Sequence, residues 1–414
     1  MNLLFMAWRY LGSRISVTGL TLSGIALGAA LVCSVLVLKR ESETAFSREA
    51  ALFDLIAGGK GGALQLVLSC IYHLDAPSGN IPYTDYERLR RDSRVQWAAP
   101  VGLGDNYRGF RIIGTEEHFF ELADREGKAF FRFVEGRAFQ DRFEVVLGSE
   151  VARATGLVVG DRFAGTHGLV DVAGSQVHDD FPYTVCGILA PTETTQDRAI
   201  FGTLESVWEI HEKEDRLHSA IQGTATLQRK GPRETTAVLL RLEAPGLRLR
   251  LADEIRKHTG GVAAVPINEV LRLYQGIVSP MQKALLAVAA AVVIVSCLTV
   301  LATLLQSGER RRRDIAILRA LGARPIEVAA LMLIEGLLLC VLGLGFGWLL
   351  GHGGLSIAAN WLRESSGLVI STWRVDSAEI AAFGLMGACC LVASIVPSIA
   401  AYRRTPLEDL TLDS

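Results

Sequence analysis

Four stretches of this chain stay apolar for the length of a bilayer-crossing helix. Ile15 to Leu38, Ala284 to Leu305 and Ile380 to Ala401 contain no Asp, Glu, Lys or Arg, and Val328 to Leu350 contains only Glu335. About 20 residues rising about 1.5 Å each cover a hydrocarbon core of about 30 Å, so each run predicts a transmembrane helix. Between the first and second runs the pattern changes to short alternating segments. Tyr83 to Arg94 reads as a helix with Thr84 as N-cap and Glu87 three residues on. Asp105-Asn106 separates two strand-like runs and reads as a hairpin turn. Glu144 to Leu147 reads as strand, Ser149 to Thr155 as helix, Tyr183 to Leu189 and Arg198 to Thr203 as strands. Thr235 to Leu242, Leu247 to His258 and Gly261 to Val265 read as strand, helix, strand, and a helix from Ile267 leads toward the second span. This alternation predicts an α+β domain with at least one βαβ unit.

The resulting fold class is an α-helical membrane protein with four transmembrane helices, arranged 1+3 around a large α+β extracytoplasmic domain. The divisions are 1–38, 39–280 (long enough for two subdomains) and 281–414, with a connector at 306–327. Basic residues orient it. Arg9 and Arg14 precede the first span; Arg310, Arg311, Arg312, Arg313, Arg319 and Arg324 lie between the second and third; Arg403 and Arg404 follow the fourth. Four spans place all three groups on one side, which the positive-inside rule makes the cytoplasm, together with both termini. Lys39, Arg40 and Glu41 follow the first span where a small-residue cleavage site would stand, so the span reads as a retained anchor.

Half of the 414 residues are hydrophobic and 21% are charged. That mixture fits neither an ordinary soluble enzyme nor a protein lying wholly in the membrane. The net charge of −2 adds nothing about partners, and no nucleic acid is expected among them. Five cysteines, Cys33, Cys297, Cys340, Cys389 and Cys390, fall in the apolar runs and read as small fillers. Cys70 and Cys186 fall in the outer domain, where a bridge requires Cα atoms within about 7 Å.

No GxSxG, HExxH or EF-hand loop occurs, and no catalytic residue is assigned. Gly58-Gly59-Lys60-Gly61-Gly62 lacks the Gly-Lys-Ser/Thr ending of a phosphate loop and reads as an entry into an apolar element. His167, His178 and His211, with Asp179 and Asp180, are weak metal candidates whose spacing matches no standard site, so no metal is expected. Gly343, Gly347 and Gly351 recur every fourth residue on one face of the third span, with Gly336 two turns earlier. Gly24 and Gly28 do the same in the first. Small residues at that spacing let another helix approach closely, within this chain or from a second copy. Glu335 is costly in lipid and is expected to face protein or water, most simply through an interhelical hydrogen bond or ion pair. In the connector, Ile315, Ile317, Leu318 and Leu321 cover one broad side of a helix, with arginines opposite or N-terminal.

The run ERRRRDIAILRALGARPIEVAALMLIEGLLLCVLGLGFGWLLG, Glu309 to Gly351, resembles the permease subunits of the MacB/LolC/FtsX superfamily of ABC transporters. Asp314 stands where the family more often has Glu. WRYLGSRISVTGLTLSGIALGAALV resembles the family's first span, and VVLGSEVARATGLVVGDRF with YTVCGILAPT its periplasmic domain. The resemblance implies a bacterial inner-membrane permease, a homodimer, that passes the motion of a cytoplasmic ABC ATPase to its periplasmic domain. Arg310, Arg313, Asp314, Ile317, Leu318, Arg319, Leu321 and Gly322 would form the ATPase-coupling segment. No Walker A sequence is present, so ATP and Mg would bind a separate ATPase polypeptide and this chain would hold no cofactor. A periplasmic adaptor or substrate-binding protein would be a further partner. Export or extraction of an envelope substrate is the first expectation. A non-transporting regulator of a periplasmic enzyme and a metal-linked system are the alternatives.

Overall fold

The computed structural model describes residues 3–13, 15–168, 181–221, 232–310, 315, 317, 319, 322–366 and 371–403. The chain forms two compact units. One comprises Met1–Glu41, Ile277–Trp361 and Ile370–Ser414, and the other Ser42–Gly276 with Leu362–Val369.

In chain order, α1 (Leu3–Gly12) and α2 (Ile15–Ala50) come first. Then follow β1 (Leu55–Gly58), α3 (Ala63–Cys70), β2 (Ile81–Pro82), α4 (Tyr83–Arg90), β3 (Val95–Tyr107) and β4 (Phe110–Thr115). Next are β5 (Phe133–Gly136), β6 (Glu144–Leu147), α5 (Ser149–Thr155), β7 (Arg162–Phe163), β8 (Thr166–His167), β9 (Tyr183–Leu189) and β10 (Ala199–Thr203). The mixed unit ends with α6 (Leu204–Ile221), β11 (Glu234–Thr235), β12 (Ala237–Leu242), α7 (Arg248–Thr259), β13 (Val262–Ala264) and α8 (Pro266–Leu273). Three long helices close the chain: α9 (Ser279–Arg310), α10 (Pro325–Ser366) and α11 (Ser377–Arg403).

The mixed unit is built on a sheet of order β13-β1-β12-β3-β4-β10-β6-β9-β5. β10 runs parallel to β4, and β6 parallel to β9, while the other neighbours on this path are antiparallel. The parallel pair β6 and β9, with α5 between them in the chain, is one βαβ unit, whereas the strand, helix and strand expected over 235–265 place β12 and β13 on either side of β1. β3 ties the sheet together. Its first half pairs with β12 from Val95 to Val101, and its second half with β4 from Gly102 to Tyr107, with a bulge between Leu103 and Asp105. α6 lies directly on this crossing because the sheet there lacks side chains. A Cβ at Gly102 would stand 2.6 Å from Leu204 Cδ1, and one at Gly114 2.6 Å from Val207 Cγ2.

Two local expectations are corrected. The hairpin turn between β3 and β4 is Arg108-Gly109, where Tyr107 pairs with Phe110 and both turn residues take positive φ. That geometry suits the right-handed twist of the flanking strands. Asp105 and Asn106 are strand residues, paired with His167 and Thr166 of β8. The helix predicted over 83–94 ends at Arg90, and its N-cap is Pro82 with no side-chain cap, so Thr84 does not cap it. Cys70 and Cys186 are both free and buried. Cys186 donates its thiol to the Val145 carbonyl.

One apolar cluster in this unit includes Ala50, Leu52 and Phe53, which follow from α2, and Val270 of α8. The two segments that lead toward the helical unit therefore share a core. Glu49, in the last turn of α2, is fixed inside it by Thr195 Oγ1 at 2.5 Å and Gln196 Nε2 at 2.9 Å. Asp54 anchors the edge. Its backbone amide donates to the Leu240 carbonyl at 2.9 Å. Its carboxylate accepts from Arg125 at 2.9 Å, from Arg248 at 2.8 and 2.5 Å, and from the Leu242 amide at 3.0 Å. Burial alone would push the Asp54 carboxyl up, but the Leu242 amide and the two guanidinium groups outweigh it and hold it below the usual carboxylate range.

A carboxyl depressed by folding stabilises the protein fully above its unfolded pKa, about 3.9, and that contribution fades as pH falls toward the folded value. Asp54→Asn in the purified chain should cost about 2 kcal/mol at neutral pH. The variant's thermal-unfolding midpoint should also change less than the wild type's between about pH 5 and about pH 3. Equal acid sensitivity in the two proteins would contradict this anchoring role.

Candidate functional site

Among the described residues, four helices are long and apolar enough to cross a membrane: Ile15–Ala50, Pro266–Glu309, Pro325–Ala359 and Ser377–Ala400. Large apolar side chains stand exposed along them, among them Leu27 at 67%, Ile294 at 60% and Leu385 at 68%. Such a continuous apolar surface needs lipid or a partner to cover it.

The helical unit is assembled around a glycine seam. A Cβ at Gly343 would lie 2.6 Å from Ile25 Cγ2. One at Gly347 would lie 2.4 Å from Ala29 Cβ and 2.6 Å from the Ala26 carbonyl oxygen, and one at Gly351 2.9 Å from Cys33 Cβ. The predicted stripe on the third apolar helix thus receives the first, within one chain. Gly24 and Gly28 face the second apolar helix, at Ser296 and at Val292 with Val293. Ser296 Oγ donates to the Gly24 carbonyl at 2.9 Å, and Thr21 and Thr303 hydroxyls meet at 3.1 Å. Ala29 and Val32 of α2, Ala289 of α9 and Met386 of α11 form a shared buried cluster. Glu335 is buried at 6% exposure, and its neighbour Gly336 abuts Ser394 of α11.

The connector residues divide. Ile315 is buried and packs with Val328 and Met332 of α10, whereas Ile317 is half exposed. These two members of the predicted apolar side therefore have different surroundings. Gly322 takes a φ of +102°, donating its amide to the Arg319 carbonyl at 3.1 Å. α10 then opens at Pro325, with the Glu327 carboxylate accepting from the Arg324 amide at 2.8 Å. Arg313, Asp314, Leu318 and Leu321 lie outside the described residues, as do the side chains of Arg310 and His178.

Of the outer histidines, His167 pairs with Asp105 in β8, and His211 of α6 covers Gly104. The side chain of His167 lies outside the described residues, and among the described residues His211 joins no group of three metal-ligating side chains. Such a group occurs elsewhere, in Cys33, His352 and Glu379 of the helical unit, all buried, with ligand atoms within 4.8 Å of one another. Reading Cys33 as an apolar filler missed this. His352 and Glu379 flank apolar runs, where polar residues are ordinary, so only their convergence on Cys33 distinguishes them.

A family model described as the FtsX-like permease C-terminal matches residues 286–406, and one described as the MacB-like periplasmic core domain matches residues 18–258. The chain belongs to the MacB/FtsX-type permeases. The helical stretch from α9 through α11 carries the FtsX-like match, and the MacB-like match covers the mixed unit from its start to the last turn of α7, leaving β13 and α8 beyond it. It is a multi-pass membrane permease.

Similar curated proteins include the macrolide export ATP-binding/permease proteins MacB 1 of Yersinia pestis bv. Antiqua (strain Antiqua) and of Yersinia pseudotuberculosis serotype I (strain IP32953). Each is 24% identical over 427 aligned residues, covering 98% of this chain and 60% of the relative. The permease thus spans 60% of the length of these relatives. Among solved structures, the periplasmic region of MacB from Actinobacillus actinomycetemcomitans overlays at TM-score 0.31 and 14% identity, covering 50% of this chain and 83% of that one. The extracellular domain of the ABC-type transporter YknZ from Gram-positive bacteria gives 0.28 and 10%, covering 51% and 98%. Overlays at these scores are too slight to bear on architecture.

The seam makes a direct prediction for this permease. Gly347→Ala forces a methyl group into the α2 backbone and should destabilise the chain by about 1–3 kcal/mol. Gly345→Ala, where nothing lies within 4 Å of the added Cβ, should be near neutral. Thermal unfolding of both variants in nanodiscs, against wild type, checks the difference.

Proposed function

We propose that this chain is the membrane subunit of an ABC-type export or extraction complex of the bacterial inner membrane, working as a dimer. The observation that carries the reading is the pair of family matches, which together span a MacB-like periplasmic part and an FtsX-like permease part. The relatives' own names join ATP binding to macrolide export. None of the 414 residues forms a Walker A sequence, so ATP hydrolysis falls to a component outside them, proposed here as a separate cytoplasmic ATPase. ATP and Mg belong to that component, and this chain acts as a transmitter and not as an enzyme.

Transmission needs a receiver in the cytoplasm and a connected element leading to the other side. The proposed receiver is the arginine-rich connector 306–327, with Leu318 and Leu321 in its docking face. α9 rises from the connector, and the segment leading into it packs in the same core cluster as the end of α2. Pulling on either segment therefore loads the mixed unit. The intrachain glycine seam leaves the dimer to be formed by other surfaces. The adaptor or substrate-binding partner would meet the mixed unit on the periplasmic side.

Orientation is tested by reporter fusions at residues 150 and 414. The first should report the periplasm and the second the cytoplasm; a cytoplasmic fusion at 150 would overturn the topology. Coupling is tested by replacing Leu318 and Leu321 with Asp, which places unpaired charge in the docking face and should cost several kcal/mol of ATPase binding, on the order of a 100-fold loss. Membrane insertion should persist, because both residues lie outside the apolar runs. Wild-type ATPase binding and stimulation in the double variant would remove the connector from the mechanism.

A further inference from the structure

At one end of the helical unit, Cys33 of α2, His352 of α10 and Glu379 of α11 converge. His352 is fully buried, as are Cys33 and Glu379 to within a few per cent. Its ring is fixed by Trp348, with centroids 4.7 Å apart, and by Trp373, stacked at 5.7 Å and 15°. Its Nδ1 contacts the Thr372 carbonyl oxygen. A carbonyl only accepts, so Nδ1 carries the hydrogen and donates it. In a neutral ring, Nε2 then presents a lone pair, 2.7 Å from Glu379 Oε1. Two acceptors cannot face each other at that distance without a proton or a metal cation between them. Cys33 Sγ lies 3.6 Å from the same oxygen. The other oxygen, Glu379 Oε2, is buried with no hydrogen-bond partner among the described residues.

From this geometry we propose that Cys33, His352 and Glu379 form a binding site for a thiophilic divalent cation, with Zn2+ as the ion they suit. The reasons are independent of the transport reading. First, charge balances: thiolate and carboxylate supply two negative charges against the ion's two positive ones, with imidazole neutral. A neutral site is what a poorly solvated helix bundle tolerates, whereas isolated charges there are costly. Second, the ligand set of sulfur, imidazole nitrogen and carboxylate oxygen is that of zinc, and not of the hard cations that prefer all-oxygen shells. Third, the second shell is already in place, since a metal-bound histidine typically donates its other ring N–H to a backbone carbonyl. Fourth, the cation gives the orphaned Oε2 a partner, while a bridging proton leaves it buried and unpaired. Zinc–ligand bonds of about 2.0–2.3 Å require the 2.7 Å edge to open by about 0.6 Å. Water or Oε2 fills the fourth position.

Binding replaces the thiol proton with the ion: the S–H bond breaks, its proton leaves to solvent, and an S–Zn bond forms. Any proton shared between His352 and Glu379 leaves as well. The ion would pin three apolar helices and the segment 371–376 at one point. That segment is already held to α2, since Arg40 donates to the Ser371 carbonyl at 3.1 Å and to the Arg374 carbonyl, and the Ser371 amide donates to Glu41 at 3.0 Å.

The test uses the full chain in nanodiscs, stripped with a chelator and titrated with Co2+ as a spectroscopic stand-in for Zn2+. The wild type should bind Co2+ stoichiometrically with a thiolate-to-cobalt charge-transfer band, displaced by Zn2+. Cys33→Ser should abolish the band, and His352→Gln and Glu379→Gln should weaken binding by about 1,000-fold, beyond the roughly 10–100-fold cost of losing a supporting hydrogen bond. Should these variants fail to fold, X-ray absorption at the zinc edge of the Zn2+-loaded wild type decides: it should show one sulfur ligand at about 2.3 Å. Absence of Co2+ uptake and of that sulfur ligand overturns the proposal in favour of a bridging proton. So does a band that survives Cys33→Ser and vanishes when Cys297 and Cys390, whose sulfurs lie 3.8 Å apart, are replaced instead.

Discussion

The close approach of α2 and α10 organises the helical unit. In hydrocarbon there is no water to expel, so helices associate through van der Waals fit and polar contacts between them. Gly343, Gly347 and Gly351 lower one side of α10 to bare backbone, and Ile25, Ala29 and Cys33 of α2 fill it. Nothing larger than hydrogen fits at Gly347, where an added Cβ would lie 2.4 Å from Ala29. Polar groups follow from that fit. Because Gly351 rests against Cys33, the next residue, His352, is delivered beside the same sulfur, and Glu379 completes the group from the start of α11. The seam that looks like simple packing thereby sets the position of the unit's most concentrated chemistry.

In the mixed unit the corresponding element is β3. It pairs with β12 along its first half and with β4 along its second, so the two parts of the sheet share one strand. The bulge at Leu103/Asp105 falls in the second half, and bulges bend and twist a strand where its pairing must change. Glycines at 102 and 114 let α6 lie on that junction. The core beneath holds both the end of α2 and the start of α8, the two chain segments that continue into the helical unit. A load applied to one segment therefore reaches the other through packed side chains and not through a loop.

The connector stands between these observations and the proposed ATPase. Its two described isoleucines differ, one packed on α10 and one half exposed. Gly322, at a φ of +102°, and Pro325 end the segment sharply before α10 begins. The connector is therefore bounded at its C-terminal end by backbone constraints that stop it from merging into one continuous helix with α10.

The four long apolar helices and the strands at 144–147 and 183–189 could be read from the sequence, because each depends on local composition or periodicity. Charge-free runs of span length and alternation in a strand require no knowledge of distant residues. The same holds for the glycine repeat, whose spacing marks a contact face without naming what touches it. Only tertiary structure identified that partner as α2 of the same chain. It also moved the hairpin turn from Asp105-Asn106 to Arg108-Gly109, since turn propensity is weaker than the strand pairing that places Asp105 and Asn106 opposite β8. The grouping of Cys33, His352 and Glu379 was invisible for a related reason. Cys33 stands 346 residues before Glu379, and each of the three alone is an ordinary residue in or beside an apolar run. Their chemistry exists only because three helices pack at distances the sequence does not record.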